Sequence, residues 1–153
     1  LPPIRQKKSA KARSQIEAYI RHLILERLED TLESIEGVIK QLRKLPWQDP
    51  EERVEAHVVK ATLRVCRSKY TSISLVSDVL SGLQVYQDRV VIRVVDSLLE
   101  GVYRGLEVRV RRDFQRMIGY ARLIGDLYTY EVVSAPLIFQ LLHTLLEHGH
   151  EVG

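Results

Sequence analysis

The stretch that decides the fold is DRVVIRVVDSLLEGVYRGLEV, Asp88 to Val108. Wound at about 100° per residue, Val91, Val94, Val95, Leu98 and Val102 gather on one side of a helix. Asp96, Glu100 and Glu107 gather on the other side, in a row about 16 Å long at a rise of about 1.5 Å per residue. The inner side is apolar and the outer side acidic. Gly101 and Gly105 lie on or beside the inner stripe. Each costs a helix about 1 kcal/mol relative to alanine, a loss that makes sense where a second helix comes close. Taken alone, three outward acids are most simply a solvated face.

The same period recurs on both sides of that stretch. Upstream, helices are expected at about Ser14–Leu28 (Ile16, Tyr19, Ile20, Leu23) and Thr31–Lys44 (Ile35, Val38, Ile39, Leu42). Two more follow at about Pro50–Lys69 (Val54, Val58, Ala61, Val65) and Ser72–Gln84 (Ile73, Val76, Leu80, Leu83). Downstream, one runs from about Val110 to Tyr128 through Phe114, Met117, Ile118, Ala121 and Ile124. The last is capped by Ser134, with Pro136 in its first turn, and runs through Ile138, Leu141, Leu142 and Leu145 to Gly149. Period-two alternation is nowhere sustained and no Asn-Gly or Asp-Gly turn occurs, so no strand competes.

The joint KLPWQDPEE, residues 44–52, separates the second helix from the third. Pro46 disfavours helical geometry at Leu45. Asp49 is expected to cap the third helix, with Pro50 in the first helical position and Glu52 completing a capping box. Trp47 then wedges the joint as an apolar anchor.

These spacings predict an all-α chain, a HEAT-like superhelical stack of antiparallel helical hairpins. Hairpins fall at about 14–44, 50–84 and 88–128, starting about 37 residues apart, with an unpaired helix at 134–149. Residues 1–13, LPPIRQKKSAKAR, hold two prolines, five cations and no acid, and are read as a flexible basic arm. A first residue of leucine, and a seventh helix with an apolar surface but no partner, lead us to expect a piece of a larger domain.

At 153 residues and 45% apolar, the chain has the material for one domain with a core. The net charge of +3 hides an uneven distribution. Besides the arm, Arg109, Arg111, Arg112 and Arg116 face one Asp113, a local patch suited to RNA. The single Cys66 excludes an internal disulfide, fits a reducing compartment and adjoins the third helix's stripe as a small buried apolar residue. No run of about 18 apolar residues and no signal-peptide pattern occurs, so no membrane contact is expected and a cytoplasmic, perinuclear or partly nuclear site is.

Chemistry is sparse. No Gly-rich phosphate loop and no nucleophile elbow is present, so neither catalysis nor a cofactor is expected. Asp96 and Glu100 on an exposed face would lack the desolvation that tunes an acid–base pair. Of His143, Glu147, His148 and His150, only His143 and Glu147 share a helical face, and no metal site is expected. His22 and His57 stand isolated and read as surface or rim residues.

RKLPWQDPE at 43–51 and VVDSLLEGVYRGLEV at 94–108 are followed by YARLIGDLYTYEVVSAPLIF at 120–139. Together they resemble the third initiation-factor-4G-type middle domain of the up-frameshift-two family, the scaffolds of nonsense-mediated mRNA decay. The resemblance covers roughly residues 14–149. The KLPWQD joint and the VVD…LE…G…LE helix are specific to that member, whereas GDLYTYE is the more general signature.

The resemblance implies a non-catalytic helical stack that holds the RNA-recognition-motif domain of up-frameshift protein three. Other surveillance-complex proteins are then held through the rest of the parent chain. Carboxylates on one helix meet Lys and Arg from the sheet face that such a motif otherwise offers to RNA. The family's acidic contacts fall on Asp96, Glu100 and Glu107, the row already singled out by spacing. Beside it, Tyr103 is a candidate amphipathic anchor and Arg104 a candidate pair for an acidic group of the partner. A complete domain of the family has about five hairpins, and this chain ends after the seventh helix. The competing reading is an RNA-binding helical-repeat module using residues 5–13 with Arg109, Arg111, Arg112 and Arg116.

Overall fold

A computed structural model describes residues 15–108 and 111–152, with side chains at 15–107 and 113–147. The described residues form seven helices and no strand. Helix α1 occupies 15–27, its second half, His22–Arg27, wound as a π-helix. It is followed by α2 (Leu32–Arg43), α3 (Val54–Ser68) and α4 (Ile73–Gln84), the last entered through a 3₁₀ turn at Tyr70–Ser72. Then come α5 (Asp88–Val108), α6 (Arg111–Thr129) and α7 (Ala135–Val152).

The helices stack in two layers. The π-wound half of α1, α3 and α5 lie side by side in one layer, and α2, α4 and α6 in the other. Each hairpin closes across the layers, and α5 packs most extensively on α6. This is the HEAT-like stack that the spacing demanded, with a continuous core where the inner stripes meet. Leu23, Leu42, Val58, Leu80, Leu98 and Leu123 are essentially inaccessible at its centre. Helix α7 packs chiefly on α6.

Close approach explains the glycines of α5. An added Cβ at Gly101 would fall 2.5 Å from the Tyr120 ring. At Gly105 it would fall 3.2 Å from the Met117 Cβ. Helix α6 is thus the neighbour that the two glycines anticipate. Gly119 of α6 does the same job against α3, where a Cβ would collide with the Cys66 backbone carbonyl.

The joint between α2 and α3 is partly as expected. Trp47 is half-buried against the core, and its Nε1 donates to the Leu42 carbonyl at 2.8 Å. Asp49 plays a different part. Its Oδ1 accepts from the Glu51 N–H at 3.0 Å, closing a turn, and α3 starts only at Val54. Arg53, at φ 52°, is left-handed and redirects the chain so that Val54 enters the core. No side chain caps α3. Thr31 does cap α2, accepting from the Ser34 N–H at 3.1 Å.

Four apolar residues expected inward face outward instead: Tyr19, Phe114, Ile118 and Leu142. In α6 the buried stripe is Met117, Tyr120, Leu123, Ile124 and Leu127. The close contact of Gly119 with α3 sets that rotation, which sequence period alone leaves open by a residue. Tyr19 sits at the rim of α1, its hydroxyl donating to Gln41 Oε1 at 3.3 Å. Cys66 is buried, and burial pushes its thiol up to about 12, as suits a small core residue rather than a nucleophile. The basic arm, residues 1–13, lies outside the described residues.

Candidate functional site: the outer face of α5

Burial of Val94, Leu98 and Val102 fixes the rotation of α5 and leaves Asp96, Glu100 and Glu107 exposed. Tyr103 is half-buried and lies within about 60° of all three around the helix. The row is not uniform. Arg104 Nη2 approaches Glu100 Oε1 at 2.8 Å, an i,i+4 pair, so the central carboxylate already carries a cation. Arg104 was expected to meet an acidic group of a partner, and in the free domain it meets its own helix. Both groups are largely exposed, and such a pair contributes about 0.3–0.5 kcal/mol. It opens readily for a better ligand. Arg93, nearer the start of α5, reaches across to Glu55 of α3 at 3.4 Å. Asp96 has no ion-pair partner among the described residues.

A cleft of about 270 Å³ opens beside Asp96. Val91, Ile92 and Val95 of α5 form one side, and Val132, Val133 and Ser134 of the α6–α7 connection with Leu137 of α7 form the other. Gln84, at the end of α4, completes it. Four segments of the chain meet there, so no local pattern in the sequence announces it.

A second charged surface runs along α3. His57, Lys60, Arg64 and Arg67 recur at steps of three and four residues and share one face. With Arg21 of α1 they line one shallow depression, and Arg64 and Arg67 line another with Ser68, Gln115 and Arg116. Lys60 pairs with Glu17 at 3.2 Å, and its ammonium holds the Glu17 carboxyl below the usual carboxylate range. Arg64 and Arg67 have no ion-pair partner among the described residues. This ridge escaped the sequence reading although its 57–60–64–67 spacing was visible there. His57 is accordingly part of a cationic face rather than isolated. Of the arginines proposed for RNA, Arg116 joins the ridge and pairs with Asp113 at 3.9 Å. The side chains of Arg109, Arg111 and Arg112 lie outside the described residues.

Other polar groups tie helices together. Tyr130 donates to Asp78 Oδ1, linking the end of α6 to α4. Burial first, and then Asp126 and Asp30, push the Asp78 carboxyl above its ordinary value. His143 and Glu147 pair at 3.0 Å as their spacing implies, while the side chains of His148 and His150 lie outside the described residues. Among the described residues no group of three His, Cys, Asp or Glu converges as a metal site would require.

A two-layer stack of helical hairpins with charged outer faces defines a HEAT-like repeat domain. The chain belongs to the MIF4G domain family, which it matches over residues 18–152. It is 36% identical over 152 residues to the regulator of nonsense transcripts UPF2 of Arabidopsis thaliana. It is 37% identical over 148 residues to regulator of nonsense transcripts 2 of Homo sapiens. Against nonsense-mediated mRNA decay protein 2 of Saccharomyces cerevisiae it is 25% identical over 127 residues. These alignments take in 99%, 97% and 83% of this chain but only 12%, 11% and 12% of the relatives. The chain thus spans little more than a tenth of their length.

Proposed function

We propose that this is a non-catalytic adaptor domain, the third middle domain of a nonsense-mediated decay scaffold. On this reading the outer face of α5 docks the RNA-recognition-motif domain of an up-frameshift-three-type protein. The observation that carries it is the exposed row of Asp96, Glu100 and Glu107 on one rigid helix. The relatives' names support the pathway, the resemblance supports the partner, and the exposed acidic row suits a basic surface. A linear negative strip steers a basic sheet and raises its association rate. During docking Glu100 exchanges Arg104 for a cation of the partner, and the half-buried Tyr103 supplies contact area between the acids.

The test is a calorimetric titration of the domain with that RNA-recognition-motif domain. Wild type is compared with the triple reversal Asp96→Arg, Glu100→Arg, Glu107→Arg, with circular dichroism confirming both folds. Loss of an ion pair that becomes desolvated costs roughly 2–5 kcal/mol, so the reversal should leave no measurable binding. Equal binding by both proteins would return the acids to a solvated face.

A second reading is favoured by the cation ridge of α3. Arg64 and Arg67, with Arg21, Lys60 and Arg116 about them, form a surface suited to RNA phosphates. RNA affinity that falls steeply with salt and is lost in Arg64→Glu, Arg67→Glu would support it. Affinity unchanged by those substitutions would refute it.

A further inference from the structure

We propose that Ser68 is a phosphorylation site, and that Arg64, Arg67 and Arg116 hold its phosphate as a switch on the cation ridge. The modification stands on its own geometry, while its effect on RNA rests on the second reading given above.

The depression at the end of α3 is lined by Arg64, Arg67, Ser68, Gln115 and Arg116 and measures about 410 Å³. Ser68 is the one hydroxyl in that lining, and no carboxylate belongs to it. Arg64 and Arg67 come from α3 and Arg116 from α6, so the cations converge from two helices. Burial pushes the Tyr120 hydroxyl above its ordinary value, and Arg67 and Arg116 both act to lower it, as two guanidiniums near one point do. Thr71 and Ser72 follow in the 3₁₀ turn and do not line the depression.

Ser68 is also placed for modification. It is exposed, it is the last residue of α3, and its Oγ donates to the Arg64 carbonyl at 2.7 Å. Lys69 already leaves helical geometry, at φ −134° and ψ 67°, so a kinase cleft has only the last turn to open. Cations stand at Arg64, Arg67 and Lys69 around the serine, and no acid occurs from 56 to 77. That pattern suits the acidic substrate groove of a basophilic protein kinase. Ser68 Oγ attacks the γ-phosphorus of ATP and forms an O–P bond, while the bond from that phosphorus to the ADP oxygen breaks. The hydroxyl proton passes to a carboxylate base of the kinase.

The added group brings a charge of about −1.5 to −2 and three acceptor oxygens. At a helix C-terminus the dipole opposes such a charge. Three guanidiniums reverse that sign here, because each donates charge-assisted hydrogen bonds. The phosphate then spends on α3 and α6 the cations that a polyanion would use.

In protein recovered from its own cells with phosphatases inhibited, mass spectrometry of the chymotryptic peptide Arg64–Tyr70 should find phosphate on Ser68. An unphosphorylated peptide would overturn the modification. With phosphoserine encoded at position 68, the domain should melt above its unmodified form, and its phosphorus resonance should titrate below the value of about 6 for a free phosphoserine. Arg116→Ala should remove both shifts. A lower melting point, or titration at the free value, would overturn the arginine clamp. Single-stranded RNA should bind the phosphorylated domain at least about tenfold more weakly than the unmodified one. Equal affinity would overturn the switch. Absence of RNA binding by the unmodified domain would remove the second reading and the switch together, and would leave the clamp to its own two measurements.

Discussion

At the residue scale, the tightest glycine contact among the described residues is at Gly119. Its Cα hydrogen faces the Cys66 backbone carbonyl, which has no side chain to swing aside. Gly119→Ala should lower stability by about 1–3 kcal/mol through overpacking. Gly125, six residues along the same helix, has nothing within 4 Å of an added Cβ. Gly125→Ala should raise stability by up to about 1 kcal/mol through helix propensity alone. Urea denaturation of the two variants reads both signs in one experiment. Asp78 offers a pH test. Its carboxyl titrates above the ordinary aspartate value in the fold, so the ionised form is penalised there. Its favourable contribution is complete below the unfolded-state value and is lost as pH rises through the raised folded one. Asp78→Asn keeps an acceptor for Tyr130 and cannot ionise. It should melt higher than wild type at pH 7, with the difference closing as pH falls into the ordinary carboxylate range. A wild type that melts higher at neutral pH would contradict this.

At the scale of elements, helix α5 was legible because everything that orients it is local. Its apolar stripe and acidic row are set by one period, and burial of Val94, Leu98 and Val102 follows that period. Helix α6 was legible in extent but not in rotation, since Gly119 and its neighbour on α3 decide which side turns inward. Phe114 and Ile118 look like core by spacing and stand in solvent for that reason. At the start of α3 the capping pattern of Asp49, Pro50 and Glu52 is genuine turn chemistry, but Asp49 spends it on Glu51. Arg53 then adopts a conformation that no pattern foretells. The Glu100–Arg104 pair was also visible as an i,i+4 spacing, and the local partner prevails over a distant one in the free domain. The cleft beside Asp96 could not be read from any one segment, because α4, α5, the α6–α7 connection and α7 each supply part of it.

At the scale of the molecule, stacking hairpins in two layers places long helix faces in solvent and keeps them rigid. The fold presents one acidic face on α5 and one cationic face built on α3 with contributions from α1 and α6. Surfaces of opposite sign on one small scaffold favour simultaneous engagement of a basic protein and a polyanion. The most direct measurement is a charge-swap rescue, in which the triple reversal of Asp96, Glu100 and Glu107 is titrated with a partner domain whose sheet-face Lys and Arg are changed to Glu. We expect neither variant to bind its wild-type counterpart and the two variants to bind each other. Two folded variants that still fail to bind each other, or a reversal that binds the unmodified partner, would contradict the docking role of α5.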